Sequence, residues 1–170
     1  MKSTSRLLVL SFVLACTAGA ISPSQAQEKE GPPNGYGARL GFGTGPDQFV
    51  AGAQALLGEK LRFFRLAPSI DLGWGDNVTT YMFNADLHFN MPLPNTRSNL
   101  YFGGGASLVA WDVSGTGDDT EVGGTILAGA RLGTNGRTNY NVEARFGLGD
   151  IPDFRLLLGI LFGSGKPPGT

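Results

Sequence analysis

The chain contains little charge, one cysteine and one histidine. Cys16 lies near the N-terminus of the 170 residues, so neither a disulfide framework nor a cysteine-based metal site is available to the rest of the chain. Charged residues make up 16% of the sequence, against roughly 25% in an ordinary soluble domain. The formal net charge is −1 and no basic run occurs, so the sequence offers no basic surface that would bind nucleic acid.

A long apolar run is also lacking. The stretch LLVLSFVLA near the N-terminus is shorter than the ~20 residues that a transmembrane helix needs. It follows Lys2 and Arg6 and precedes the tripeptide Ser-Gln-Ala at 24–26, which is the pattern of an export signal with a small-x-small cleavage site. The sequence therefore predicts a signal peptide over 1–26. A lipoprotein signal is the alternative, because VLAC places Cys16 at the end of the apolar stretch, where a lipid would be attached.

The remaining sequence alternates between apolar and polar residues with period two. Clusters of Gly, Pro, Asn and Asp separate the alternating segments, as in β-hairpins. The predicted strands are 36–44, 48–57, 61–74, 78–89, 99–113, 121–133, 138–149 and 153–162. No segment has a convincing helical period, so we expect a meander in which each strand pairs with the next. Closure of such a meander into a barrel over 36–162 removes the free edges and leaves 27–35 as an N-terminal segment and 163–170 as a tail.

One face of every predicted strand is free of charge, and in 153–162 this face carries Phe, Leu, Leu, Ile and Phe. Alternation alone does not show which face points inward. A soluble barrel turns its apolar face inward and a membrane barrel turns it outward, and both alternate with period two. Two features favour an outward apolar face. The polar faces contain no lysine, unlike a water-facing surface, and the apolar faces end in aromatic residues, like the aromatic girdles of membrane barrels. The sequence predicts an all-β fold, an eight-stranded antiparallel up-and-down transmembrane β-barrel.

The polar faces then form the lumen of the barrel. The interior of an eight-stranded barrel is just wide enough to be filled by its own side chains, and buried charges there must be paired. If Gly75-Asp76 is a two-residue turn, Arg65 lies directly across from Asp86, and we expect Arg131 and Glu143 to form a second pair. Such pairs would fill the lumen, so we expect no channel that conducts ions. The predicted lumenal charge network contains Arg39, Arg65, Asp71, Asp86, His88, Arg131, Glu143, Arg145 and Arg155.

Two segments carry a resemblance to a known family. SNLYFGGGASLVAWD at 98–112 is similar to the Gly-rich fifth strand, and FRLLLGILF at 154–162 to the last strand, of the small eight-stranded outer-membrane β-barrels of Gram-negative bacteria, of the OmpA/OmpX type. The resemblance implies contact with outer-membrane lipid and a last strand that the outer-membrane assembly machinery reads. That role would fall on Leu158, Ile160 and Phe162. The chain departs from the family where GSGKPPGT follows the last aromatic residue, and at Pro68, where we expect a bulge.

The sequence predicts no catalytic residue, cofactor or metal site. Some eight-stranded relatives are lipid-modifying enzymes that pair a histidine with a serine, whereas His88 has Asn90 two residues on. We expect His88 to face the lumen and to hydrogen-bond with Asp86 and Arg65. No constellation for nucleophilic catalysis is assembled around it.

The loops that face away from the termini are predicted at 45–47, 75–77, 114–120 and 150–152, and three of them are too short to recognise much. Asp118, Asp119 and Glu121 make the third loop region acidic, but their spacing matches no calcium motif. We expect an integral outer-membrane protein with a structural or interaction role. A soluble periplasmic barrel that binds an apolar ligand, and a lipid-modifying outer-membrane enzyme, are the alternatives, and the fold alone supplies no specific partner.

Overall fold

The computed structural model describes residues 35–61, 64–94, 96, 98–113, 115, 117–134 and 138–163. The predicted signal peptide over 1–26, residues 27–34 of the N-terminal segment and the tail beyond 163 lie outside the described residues. No helix long and apolar enough to cross a membrane occurs in the described part of the chain.

Eight antiparallel strands pair in chain order and close into one barrel, because β1 also pairs with β8. The strands are β1 (Gly35–Thr44), β2 (Gln48–Leu61), β3 (Phe64–Gly75), β4 (Val78–Pro92), β5 (Asn99–Val113), β6 (Gly117–Gly133), β7 (Thr138–Leu148) and β8 (Phe154–Gly163). The predicted all-β meander is therefore confirmed. Each strand has a neighbour on both sides, so the ladder has no free edge.

The turn between β5 and β6 is shorter than predicted. Val113 pairs with Gly117, so Asp118 and Asp119 lie on strand β6 and not in a loop, and the prediction of an acidic loop over 114–120 is wrong. The backbone ladder continues here although the side chains change from apolar to acidic. Because the apolar alternation stops before the strand does, the sequence pattern placed the start of β6 at 121 and not at Gly117.

The turn between β3 and β4 lies one residue later than predicted. Gly75 pairs with Val78, which makes Asp76-Asn77 the two-residue turn, and Asn77 has a φ of 60°. Asparagine tolerates this left-handed conformation better than most residues, which explains the position of the turn. The resulting register places Arg65 opposite His88 and Asp86 opposite Ala67. The prediction that Arg65 lies directly across from Asp86 is wrong.

The predicted bulge at Pro68 is also wrong. Pro68 pairs with Ala85 in the regular register of β3 and β4. On its other side the pairing with β2 is interrupted between Gln54–Ser69 and Leu57–Leu66, yet the register is the same before and after the interruption. Proline removes a ladder donor but inserts no residue, so the register survives. The register shift between β2 and β3 lies further along, between Leu57 and Leu61.

The outer surface of the barrel is apolar. Leu40, Ile70 and Leu158, from three strands, are 53%, 53% and 59% exposed. Aromatic pairs occur at both ends of this surface. Tyr36 and Phe162 lie near the chain termini with ring centroids 6.0 Å apart, and Phe42 and Phe49 lie at the opposite end with centroids 5.6 Å apart. The outer face thus has aromatic residues at both rims and aliphatic residues between them, as the sequence pattern predicts.

Apolar side chains close the lumen at the end opposite the termini. Val50, Met82, Val109 and Leu157 are fully buried there, and Ile151 joins them from the loop between β7 and β8. The loop is held in place because Asp153 donates its backbone N–H to Thr44 O at 3.1 Å. A second, smaller apolar cluster contains Leu56, Ala67 and Leu161. The sequence predicts a charged network in the lumen, and these apolar layers were not predicted.

Candidate functional site

The structure places all nine residues of the predicted lumenal charge network on the inner face of the barrel, each at most 8% exposed. They are Arg39, Arg65, Asp71, Asp86, His88, Arg131, Glu143, Arg145 and Arg155. Six of them form one contiguous set of ion pairs, which we name the central charge cluster and which contains Arg39, Asp71, Asp86, Glu143, Arg145 and Arg155.

The shortest contact of the central charge cluster is bidentate. Arg39 donates from Nε to Asp71 Oδ1 at 2.7 Å and from Nη2 to Asp71 Oδ2 at 2.5 Å. The two residues lie on β1 and β3, and both have Gly52 of β2 as their backbone partner. A Cβ atom at position 52 would collide with Asp71 Oδ1. The pair therefore forms over β2 because the residue between them has no side chain.

Glu143 connects the two halves of the cluster. Its Oε1 accepts from Arg39 Nη1 at 3.3 Å and from Arg145 Nη1 at 3.1 Å, while Arg145 Nη2 donates to Asp86 Oδ2 at 2.7 Å. Arg155 Nη1 lies 3.3 Å from Asp71 Oδ2. The formal charges of the three arginines and three carboxylates cancel. Buried ions become tolerable when they are paired and hydrogen-bonded in this way.

Neutral polar side chains complete the hydrogen bonding of the cluster. Asn84 donates to Asp71 Oδ2 at 3.0 Å and its own oxygen accepts from Ser107 at 2.7 Å. Tyr101 donates to Glu143 Oε2 at 2.9 Å. The sequence places Asn84 on the polar face of its strand, but none of the three residues belongs to the predicted charge network. Their types gave no signal, because Asn, Ser and Tyr occur in many other settings.

Arg131 does not pair with Glu143, and that prediction is wrong. In the register of β6 and β7, Arg131 lies opposite Asn141, and Glu143 lies opposite Gly129. The Arg131 guanidinium instead lies 4.6 Å from the centroid of the Tyr101 ring, and its Nη1 donates to Asn90 Oδ1 at 3.0 Å.

His88 stacks on Tyr101 rather than joining the ion pairs. Their ring centroids are 4.8 Å apart with an interplanar angle of 17°. Neither ring nitrogen of His88 hydrogen-bonds to another residue of the described chain. The predicted hydrogen bonds to Asp86 and Arg65 are therefore wrong. Arg145 already binds one oxygen of Asp86, and the stacking fixes the plane of the imidazole ring.

This arrangement holds charge in fixed positions across the lumen. Among the described residues, no group of three or more His, Cys, Asp or Glu side chains could hold a metal ion. His88 is buried, and its ring is stacked on Tyr101. The geometry supports a structural role, in which the ion pairs fill the lumen and link strands on its opposite sides.

The three residues of the predicted assembly signal lie on the outer face of β8. Leu158, Ile160 and Phe162 are 59%, 41% and 44% exposed. Their backbone partners on β1 are Leu40, Ala38 and Tyr36, so they line the seam that closes the barrel.

Solved outer-membrane barrels share this fold. The N-terminal β-barrel domain of Pseudomonas aeruginosa OprF matches with a TM-score of 0.64 and 14% identity over 78% of this chain and 98% of that one. Neisserial surface protein A (NspA) matches with a TM-score of 0.59 and 15% identity over 78% and 95%. Ail, the attachment invasion locus protein of Yersinia pestis, matches with a TM-score of 0.50 and 11% identity over 78% and 97%. No family model and no curated protein sequence matches the chain. The expected likeness to small outer-membrane barrels is confirmed at the level of the fold.

Proposed function

We propose that this protein is an integral β-barrel of a Gram-negative outer membrane, exported by the signal peptide at 1–26, with a structural or interaction role and no enzymatic activity. The observation that carries the proposal is the polarity of the barrel, which has charged side chains inside and apolar side chains outside. OprF, NspA and Ail, three of the solved proteins that share the fold, are outer-membrane barrels.

The outer surface supports this location. A soluble monomer rarely exposes a contiguous apolar patch of more than a few hundred Å², whereas here exposed apolar side chains occur on all eight strands. The strands run from 10 residues in β1 to 17 in β6, and ~9–11 tilted residues cross a bilayer. Each strand is therefore long enough to span, with outer-membrane lipid as the partner of its apolar face.

The interior argues against the two alternatives. A soluble barrel for an apolar ligand needs an apolar lumen, but the middle of this lumen contains three arginines and three carboxylates. A lipid-modifying enzyme needs its catalytic histidine to reach lipid, but the ring of His88 is buried on the inner face. The central charge cluster instead cross-links the strands and obstructs passage.

Cell fractionation with a heat-shift gel tests the proposal. The protein should be recovered with detergent-extracted outer membrane and show a folded band whose mobility changes on boiling, because a closed barrel resists the detergent until heated. Recovery of native protein in the soluble periplasmic fraction without detergent would eliminate the membrane location.

The assembly machinery is the second partner that we propose, with Leu158, Ile160 and Phe162 as the segment that it reads. These side chains lie on the exposed face of the closing strand, where another protein can contact them. Phe162→Ser should reduce the amount of folded barrel in cells, whereas Phe154→Ser, at the other end of β8, serves as the matched control. Equal amounts of folded protein for both variants would contradict the assignment.

A further inference from the structure

We infer that the end of the lumen nearest the chain termini binds a small inorganic anion, such as chloride or phosphate, between Arg131 and Asn90. This site lies next to the central charge cluster but outside it. The inference concerns the folded barrel itself and holds whether or not the proposed membrane role is correct.

Arg131 is a buried cation that forms no ion pair with a carboxylate of the described residues. Its side chain is 7% exposed. One face of the guanidinium is covered by the Tyr101 ring at 4.6 Å, and Nη1 donates to Asn90 Oδ1 at 3.0 Å. The buried Nε has no hydrogen-bond partner in the described chain. An arginine removed from water in this way needs a negative partner.

Asn90 presents a second donor beside this guanidinium. Its Oδ1 accepts from both Arg131 and Asn99, the latter at 3.2 Å, and these two bonds fix which end of the amide is the oxygen. Asn90 Nδ2 is then a buried donor with no acceptor among the described residues. Because Nδ2 is attached to the same carbon as Oδ1, it lies next to the arginine. Folded proteins leave few buried donors unpaired, so unpaired donors on two residues that contact each other indicate a site for an acceptor.

The lumenal carboxylates Glu143 and Asp86 do not supply this acceptor, because both are paired with other arginines, although Asp86 Oδ1 accepts no hydrogen bond within the described chain. Glu143 accepts from Tyr101, Arg39 and Arg145, and Asp86 is paired with Arg145. A water molecule could accept the hydrogen bonds but would leave the charge of Arg131 uncompensated. A small anion satisfies both requirements.

The site lies near one end of the lumen. Arg131 lies opposite Asn99, the first residue of β5, and two residues before the end of β6. The site is therefore close to the end of the lumen nearest the chain termini. The interior of an eight-stranded barrel is narrow, which restricts the ligand to a halide or a small oxyanion.

Chloride-35 NMR line broadening of the full chain, folded in an uncharged detergent, measures chloride binding. We expect the protein to broaden the chloride signal beyond empty micelles, and phosphate to reverse the broadening by competition. Asn90→Asp places a carboxylate at the Arg131 contact, so chloride affinity should fall by about tenfold or more, the equivalent of one charge-assisted hydrogen bond. Arg131→Gln should have the same effect.

Gln48→Glu is the matched control, because it adds the same charge to the lumen at the opposite end, where Gln48 contacts Thr80. Broadening should persist in this variant. The inference is overturned if the parent protein shows no broadening beyond micelles, or if Asn90→Asp broadens the signal as much as the parent and Gln48→Glu do. Folding of each variant is checked by the heat shift, and Asn90→Asp decides the outcome if Arg131→Gln does not fold.

Discussion

Arg39 and Asp71 meet above Gly52, the residue that pairs with both of them across strand β2. Their two hydrogen bonds, at 2.7 and 2.5 Å, are the only bidentate ion pair among the described residues. The central charge cluster thus depends on a glycine that contributes no functional group. Any side chain at position 52 would occupy the volume in which the pair forms.

Removal of one partner of this pair should destabilise the barrel more than removal of both. Arg39→Ala or Asp71→Ala leaves an uncompensated buried charge, and each should cost about 3–5 kcal/mol of unfolding free energy. The double variant should lose less than the two single losses together. Urea unfolding in lipid vesicles measures the coupling, and additive losses would contradict the pairing.

A double-mutant cycle of Arg65→Ala and Asp86→Ala tests the register of β3 and β4. Asp86 lies opposite Ala67 and binds Arg145, so its coupling with Arg65 should be smaller than that of Arg39 with Asp71. A coupling as large as that of Arg39 with Asp71 would favour the alternative turn at Gly75-Asp76.

The cost of a charge on the outer face should depend on depth. Leu158→Arg, in the middle of β8, should cost about 2–4 kcal/mol in a lipid bilayer, and Phe154→Arg, on the same face at the rim, about 0–1 kcal/mol. Folding titrations into vesicles measure both. Equal costs would contradict a hydrocarbon layer around the middle of the barrel.

Truncation of Ile151 should open the apolar layer at the end of the lumen opposite the termini. Ile151 is 3% exposed and packs with Val50, Met82 and Leu157, so Ile151→Ala should cost about 2–5 kcal/mol. Ile70→Ala removes the same atoms from the outer face, where lipid refills the space, and should cost less. An equal loss of unfolding free energy in vesicles would show that the loop does not seal the lumen.

Gly129→Ala should displace Tyr101. A Cβ atom at position 129 would lie 2.5 Å from Tyr101 Cζ and 2.6 Å from the backbone oxygen of Val142, so the Tyr101 ring and the backbone of β7 must both shift. We expect a cost of about 1–3 kcal/mol and a change in the near-ultraviolet circular dichroism of the tyrosine. Gly124→Ala, whose Cβ would have its nearest neighbour at 3.6 Å, is the control and should leave the spectrum unchanged.

The strands and their faces could be predicted because alternation is a local property of the sequence. Leu158 faces outward and Leu157 inward wherever β8 sits, so no partner strand needs to be known. The register could not be predicted in the same way. A shift of one residue in the turn, from Gly75-Asp76 to Asp76-Asn77, changes every partner of β3 and β4.

The ion pairs of the lumen could not be predicted for a further reason. Long arginine side chains pass over the adjacent strand wherever a glycine allows it, as Arg39 does at Gly52, so backbone neighbours are a poor guide to partners. Arg39 and Arg145 each have two carboxylates within reach. Which carboxylate an arginine binds depends on the distance between the two side chains across the lumen, and the spacing of residues in the sequence does not determine that distance.

The pairing of β1 with β8 makes the first and last strands of the chain depend on each other. Until Phe154–Gly163 pairs with it, β1 has no second neighbour, and a row of its backbone N–H and C=O groups has no partner in the sheet. Water can satisfy those groups but hydrocarbon cannot, so a barrel that lacks its last strand has no stable state within lipid. In the membrane location proposed above, insertion into lipid and closure of the cylinder are therefore coupled, because both require the ten residues of β8.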